Sequence, residues 1–165
     1  MNAPLVKELN AAFRALVREV EIVEIVPVGF FATAAGSYPE PGVKLEADVD
    51  STLAVARDDS SARHFLVRGD FNVSAREATG ADKREDSFLD LRYTVLSRYV
   101  VPESFPHPLE DGLIRQFAET NAILHLWPYL RAFVSSACGQ LGAPHVLLHV
   151  LRQPMIKQAS STKSE

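Results

Sequence analysis

The sequence predicts an α+β fold in which a four-stranded antiparallel sheet packs on a long C-terminal helix. Three consecutive segments between residues 43 and 99 alternate apolar with polar side chains, which is typical of antiparallel strands with one buried face. A segment rich in β-branched residues and phenylalanine precedes them. Residues 109–141 follow, with apolar spacings of three and four that indicate a helix.

The N-terminal elements are a helix and a strand. Residues 3–17 repeat apolar side chains on one helical face, so we expect a helix there. Residues 20–33 read as a long strand. Pro27 and Gly29 bend it or confine it to an edge of the sheet, since proline cannot donate to a strand ladder. A loop rich in glycine and proline follows over residues 34–42.

The three alternating strands place their apolar residues at odd positions. Polar loops over residues 57–62 and 77–86 separate them. The resulting sheet has one apolar face and one solvated face. The acidic residues expected on the solvated face are Glu46, Asp48, Asp50, Asp70 and Asp90. They form either a hydrated surface or a weak attraction site for a cationic partner.

The long helix carries two apolar stripes rather than one. Because the sheet covers only one of them, we expect a second subunit to cover the other and predict a homotetramer. The residues assigned to the oligomer interface are Leu126, Leu130, Phe133 and Ala137. Pro128 should kink this helix, because its ring removes a hydrogen bond and crowds the preceding turn. Gly139 or Gly142 should end it.

Composition limits the classes of function. The 165 residues include 17 Lys and Arg against 21 Asp and Glu, a net charge of −4, which argues against nucleic acid as a partner. The chain shows no signal-peptide pattern and no apolar stretch of membrane-spanning length. Its single cysteine, Cys138, favours a reducing compartment. We therefore expect a cytoplasmic protein without membrane insertion, with one domain over residues 1–156 and a disordered polar tail over 157–165.

Motifs for catalysis are absent from the sequence. It contains no phosphate-binding glycine loop, no GxSxG, no HExxH and no CxxC, so we predict no enzyme activity, no catalytic residue and no cofactor. His145 and His149 have the spacing of a metal pair but lack further ligands nearby, which favours surface histidines over a metal site. Cys138 has no adjacent basic residue to activate it, which favours a buried structural thiol.

With this strand order in place, residues 121–155 resemble the SecB chaperone family. The features that carry the resemblance are Pro128, Tyr129 and Arg131 inside the long helix, then Gly139, and a turn at Pro144 that leads to an apolar run. The short apolar run with its polar ending, together with Trp127, is more similar to the divergent SecB-like chaperones, some of which serve toxin–antitoxin pairs.

The resemblance implies an ATP-independent holdase that assembles as a dimer of dimers and binds unfolded or preprotein-like clients in apolar grooves. Its expected partners are unfolded proteins, a SecA-type translocation ATPase or an antitoxin. Two other interpretations remain open. One is a non-catalytic adaptor with one fixed partner. The other is a small-ligand enzyme similar to hot-dog thioesterases, although in those enzymes the long helix comes early in the chain.

The expected client-binding residues follow from chain order. In the resembling family, the connection between the first two strands and the segment after the main helix border the client groove. The corresponding residues here are Phe30, Phe31, Tyr38, Val43, Leu45, Leu147, Leu148, Leu151 and Met155. For the two phenylalanines, packing in the core is an equally open interpretation.

Overall fold

A computed structural model of the chain describes residues 3–35, 37–58, 61–78 and 87–149. In chain order, the elements are α1 (Ala3–Glu19), β1 (Glu21–Ala34), β2 (Leu45–Arg57), β3 (His64–Glu77), β4 (Leu89–Val100), α2 (Asp111–Phe117), a π-helical turn (Ala118–Ala122) and α3 (Ile123–Leu141). The predicted order of four strands followed by a long helical region is confirmed.

The sheet has the strand order β1-β4-β3-β2, and every neighbouring pair is antiparallel. Strands β2, β3 and β4 therefore form a meander, while β1 lies beside β4 and the connection from β1 to β2 crosses from one edge of the sheet to the other. The register of β1 shifts between Pro27 and Gly29, the two residues expected to bend it. Its position at an edge agrees with the sequence prediction.

The two faces of the sheet differ as predicted. Residues of β3 and β4 alternate between buried and accessible along their whole length. On the solvated face three of the five carboxylates, those of Glu46, Asp48 and Asp70, are paired with arginines. Arg68 binds Asp70 at 2.9 Å and holds the pKa of that carboxyl below its ordinary value, and Arg76 pairs with Asp48. The acidic residues thus belong to a hydrated, ion-paired surface.

The long helical region is not one regular helix. It begins at Asp111 and contains the π-helical turn, where the Ile123 N–H donates to the carbonyl five residues earlier. The Thr120 hydroxyl donates to the Gln116 carbonyl at 2.7 Å. Pro128 lies inside α3, so the departure from α-helical geometry falls before the expected position. The helix ends at Gly142, whose φ of 65° is the left-handed conformation of a helix stop.

Most residues of both apolar stripes of the helix are buried by the chain itself. Helix α1 covers α2, because Leu16 packs in one cluster with Leu113 and Phe117. Over α3, Val146 and Leu148 join the cluster that contains the sheet-facing residues. The expectation that a second subunit must cover the second stripe is therefore wrong.

The residues assigned to the oligomer interface need the same correction. Leu126 and Leu130 are fully buried in the protomer and Ala137 nearly so, because all three face the chain's own sheet. Their side chains leave no surface for another copy. Phe133, the fourth of the set, is only half-buried.

Helix α3 approaches the sheet closely at Gly69. A Cβ atom at this position would lie 2.8 Å from Leu126 Cδ1 and 2.8 Å from the Phe71 ring. Within the described ranges, no helix has both the length and the hydrophobicity needed to cross a bilayer.

Candidate functional site

An open groove runs between β1 and α3, with a volume of about 740 Å³. We call it the aromatic groove. Its defining residues are Phe30 of β1, Tyr93 of β4, and Tyr129 and Phe133 of α3, and Phe31 borders it. Small and apolar residues of the same strand and helix, including Ala32 and Ala137, lie between the rings.

Two ring contacts set the geometry of the groove. Tyr93 and Phe133 stack with 4.7 Å between ring centroids and 12° between planes. Phe30 tilts against Phe133 at 5.9 Å and remains 75% exposed. The stacked pair forms a rigid floor, while Phe30 offers a nearly free ring at the rim.

Strand register explains why these rings meet. Phe30 pairs with Tyr93 across the β1–β4 ladder, so both side chains point towards α3. Phe31 pairs with Arg92 and points to the opposite face, where the guanidinium lies 5.9 Å from the centre of its ring. The two adjacent phenylalanines therefore present apolar surface on both sides of the edge strand.

The described residues that line the groove include no carboxylate and no basic side chain. Its polar groups are the tyrosine hydroxyls and the side chains of Ser136 and Gln140. Burial raises the pKa of Tyr93, which keeps that hydroxyl neutral. Within the described residues, no group of three or more His, Cys, Asp or Glu is placed to hold a metal ion. The groove is suited to bury apolar side chains by contact.

Tyr38 lies at one end of the groove and not in it. Its hydroxyl donates to the backbone carbonyl of Leu141 at 2.7 Å, and its ring meets Phe88 edge-on at 6.4 Å. Because Leu141 also lines the groove, Tyr38 ties the β1–β2 connection to the end of α3 beside it. Val43 precedes β2 and is exposed, whereas Leu45 packs partly buried against the core.

The predicted residues after the helix separate into different environments. Leu147 is 71% exposed and Leu148 only 6% exposed, so neighbouring leucines point in opposite directions. Leu151 and Met155 lie outside the described residues. The polar tail over residues 157–165 lies outside them as well.

Sequence reasoning missed Tyr93 and Tyr129 as parts of the groove and assigned Phe133 to another surface. Tyr93 has the parity of a core residue, and only its place beside an edge strand leaves part of it accessible. Tyr129 belongs to the Pro-Tyr-x-Arg step that carried the resemblance, which is the one signal that pointed to it.

A second polar contact lies away from the groove, between β4 and α3. The Tyr99 hydroxyl is 3.2 Å from His125 Nδ1. Burial raises the pKa of Tyr99 to about 12 and lowers the pKa of His125, so both are neutral at pH 7 and share one hydrogen bond whose direction depends on the histidine tautomer. His145 and His149 are exposed and Cys138 is buried, as predicted.

Comparison with known proteins shows similarity to SecB-like chaperones in sequence and in fold. No family model matches the chain. The chain is 25% identical over 154 residues to the SecB-like chaperone Rv1957 of Mycobacterium tuberculosis, covering 87% of this chain and 81% of that protein. It is 38% identical over 56 residues to the SecB-like chaperone SmegB of Mycolicibacterium smegmatis, covering 34% of this chain and 38% of that one.

A solved structure extends the likeness to the fold. It is the M. tuberculosis SecB-like chaperone Rv1957 in complex with a ChAD peptide from the Rv1956 HigA1 antitoxin. The TM-score is 0.72 at 19% identity, with 88% of this chain and 99% of that chain covered. The chain is similar in sequence to SecB-like chaperones and shares the fold of one of them. The resemblance inferred from residues 121–155 is thereby confirmed, and so is the SecB-like fold class.

Proposed function

We propose that this SecB-like protein is a chaperone that holds an unfolded segment of a client protein in the aromatic groove, with an antitoxin as its dedicated client. The observation that carries the proposal is the open groove itself, in which Phe30 stands nearly free above the stacked pair Tyr93 and Phe133. The similarity to SecB-like chaperones, one of them solved with an antitoxin peptide, supports this choice of client.

Binding in this groove requires no chemical step. An unfolded segment would bury apolar side chains against the rings, at about 25 cal/mol per Å² of apolar surface removed from water. It would also gain backbone hydrogen bonds at a strand edge that the assembly leaves free. Such contacts require hydrophobicity and an extended backbone rather than one sequence, and they need no nucleotide.

The edge strand β1 supports assembly into the homotetramer expected for this family. Val23 and Val28 of β1 are more than half exposed, and Ile22 and Val26 are also exposed. An apolar edge strand without charged residues at its centre is a pairing surface for a second copy. By contrast, β2 at the other edge carries Glu46, Asp48 and Asp50. We therefore place the protomer contact of a dimer of dimers at β1.

The remaining expectations follow from this function. Residues 1–156 act as one domain, and the protein works in the cytoplasm, where an antitoxin would be its client. If its clients were preproteins instead, the expected further partner would be a SecA-type translocation ATPase. An adaptor with one fixed partner differs from a general holdase only in its range of clients.

The direct test is suppression of aggregation. Light scattering of a chemically denatured model protein, diluted with and without this chain, should show protection in the absence of nucleotide. Protection that requires added ATP would contradict the proposal, as would no protection of either a model protein or an antitoxin. Protection of a cognate antitoxin alone would identify a dedicated chaperone or adaptor.

A further inference from the structure

The aromatic groove follows α3 from Tyr129 to Leu141, and its two ends differ. At the first end, Tyr129 is exposed. At the second end, Leu141 is the last helix residue that lines the groove. The chain crosses α3 there on its way from β1 to β2, because Tyr38 of this connection is bonded to Leu141. We call residues 37–44 the crossing segment.

A single side chain attaches the crossing segment to the helix. The Tyr38 hydroxyl donates to the Leu141 carbonyl at 2.7 Å, and the Tyr38 ring meets the buried Phe88 edge-on. Among the described residues, no other group of residues 37–42 makes a hydrogen bond to α3. The exposed residues of the segment besides Tyr38 are Ser37, Glu40, Pro41, Gly42, Val43 and Lys44.

The bond between Tyr38 and Leu141 can open without leaving a buried polar group unpaired. Leu141 is the last residue of α3, and the final carbonyls of a helix have no partner within it. Tyr38 is 39% exposed and Leu141 only half-buried, so water reaches both groups once they separate. Such a bond contributes little net free energy, because bonds to water replace it. Segments held by few contacts of this kind open locally.

We propose that Tyr38 is a clasp that closes one end of the aromatic groove and thereby limits the length of the client segment that the groove accepts. The inference rests on the proposed function. While the hydroxyl holds Leu141, a bound segment has to leave the groove over its rim at this end. Once the clasp opens, the segment continues past the end of α3. Tyr38 is thus a positioning residue that acts through the crossing segment.

The helix sets the length at which the clasp matters. From Tyr129 to Leu141 the helix rises about 18 Å, at about 1.5 Å per residue. An extended peptide covers this distance with about five or six residues, since each spans about 3.3 Å. A peptide of about six residues should therefore fit within the closed groove, whereas one twice as long extends beyond Leu141.

Opening of the clasp is coupled to the affinity for longer segments. While the clasp is closed, their apparent affinity is reduced by the fraction of molecules in which it is open. Tyr38→Phe removes the hydroxyl but keeps the ring that contacts Phe88, so it raises this fraction without changing the lining of the groove. Loss of one such hydrogen bond corresponds to about a two- to tenfold change. A direct client contact of the hydroxyl would instead make segments of every length bind more weakly to the variant.

The test uses the full chain and two fluorescein-labelled synthetic peptides of alternating leucine and serine, one of six residues and one of twelve. In fluorescence anisotropy, Tyr38→Phe should bind the longer peptide about two- to tenfold more tightly than the wild type does, and the shorter peptide equally well. The matched control Glu40→Gln changes an exposed side chain of the crossing segment and should alter neither affinity. Equal gains for both peptides, no gain for the longer one, or a loss for either would overturn the inference.

The same experiment separates this inference from the proposed function. Phe30→Ser lies in the aromatic groove and should weaken binding of both peptides, with or without Tyr38→Phe. If the shorter peptide binds but Tyr38→Phe brings no gain for the longer one, the clasp is wrong and the chaperone proposal stands. If the wild type binds neither peptide nor a denatured client, both are wrong.

Discussion

The ring of Phe133 lies almost parallel to the ring of Tyr93, with 4.7 Å between ring centroids, and this stack joins α3 to β4. Offset-stacked aromatic pairs contribute about 0.5–1.5 kcal/mol beyond the area they bury. The pair therefore fixes the floor of the aromatic groove whether or not a client is bound. Phe30, which touches only the edge of this floor, is the ring free to adapt.

Phe30→Ser should weaken client binding by about 1–2 kcal/mol, a 5- to 30-fold loss, because a large aromatic ring that becomes buried on binding carries much of the binding energy. The melting temperature should stay nearly constant, since little of this side chain is buried in the free protein. Anisotropy with a labelled denatured client and thermal circular dichroism measure the two effects. An equal loss in the control Leu147→Ser would show that the groove is not the binding site.

Val28→Lys should shift the protein towards smaller species, because it places a charge on the apolar edge strand proposed to pair with a second copy. Light scattering at several concentrations measures the change. The matched control is Ala56→Lys, which puts the same charge on the exposed face of β2 at the other edge. Equal dissociation by both variants would contradict assembly through β1.

Gly69→Ala should lower the free energy of unfolding by about 1–3 kcal/mol, because its methyl group would collide with Leu126 and Phe71 in a filled core. Leu126→Ala alone should cost about 2–5 kcal/mol through the cavity it leaves. The double variant should lose less stability than the sum of the two single variants, because the cavity left by Leu126→Ala makes room for the methyl group at position 69. Chemical denaturation of all four proteins measures the coupling, and strict additivity would contradict the close approach.

Stability should fall as the pH drops below about 6.5, the ordinary pKa of histidine. Burial lowers the pKa of His125, so the unfolded chain binds a proton there before the folded chain does. The loss continues until the pH reaches the lowered value in the folded state. His125→Asn, which keeps a hydrogen-bonding group near the Tyr99 hydroxyl, should flatten this dependence below about pH 6.5. The exposed control His145→Asn should not flatten it.

Side-chain parity predicted β3 and β4 well, because both strands lie inside the sheet with one face on the core. Phe71 and Tyr93 lie on the core face of these strands, and both are buried as their parity predicts. Strand β1 was harder to interpret. At an edge, Phe30 and Phe31 are both accessible although they point to opposite faces, so parity does not separate binding residues from core residues.

The role of the residues after the helix was beyond sequence reasoning. Leu147 and Leu148 are chemically identical, and only the path of the backbone across α3 decides which of them is buried. The same path packs Val146 and Leu148 into the core cluster, whereas the stripe assigned to another subunit faces the chain's own sheet. Two apolar stripes on a helix indicate that two layers cover it, but they do not indicate whether those layers come from one chain or from two.

The π-helical turn gives the long helix one residue more than a regular helix of the same span would need. Loss of one residue from 118–122 would therefore restore ordinary hydrogen bonding while α2 and α3 keep their faces towards their partners. Loss of Ser135 instead would rotate everything after it by about 100° and turn Ala137 and Cys138 away from the sheet. The helix is thus tolerant of a change in length at one place, and natural relatives of this chain that differ in helix length should differ there.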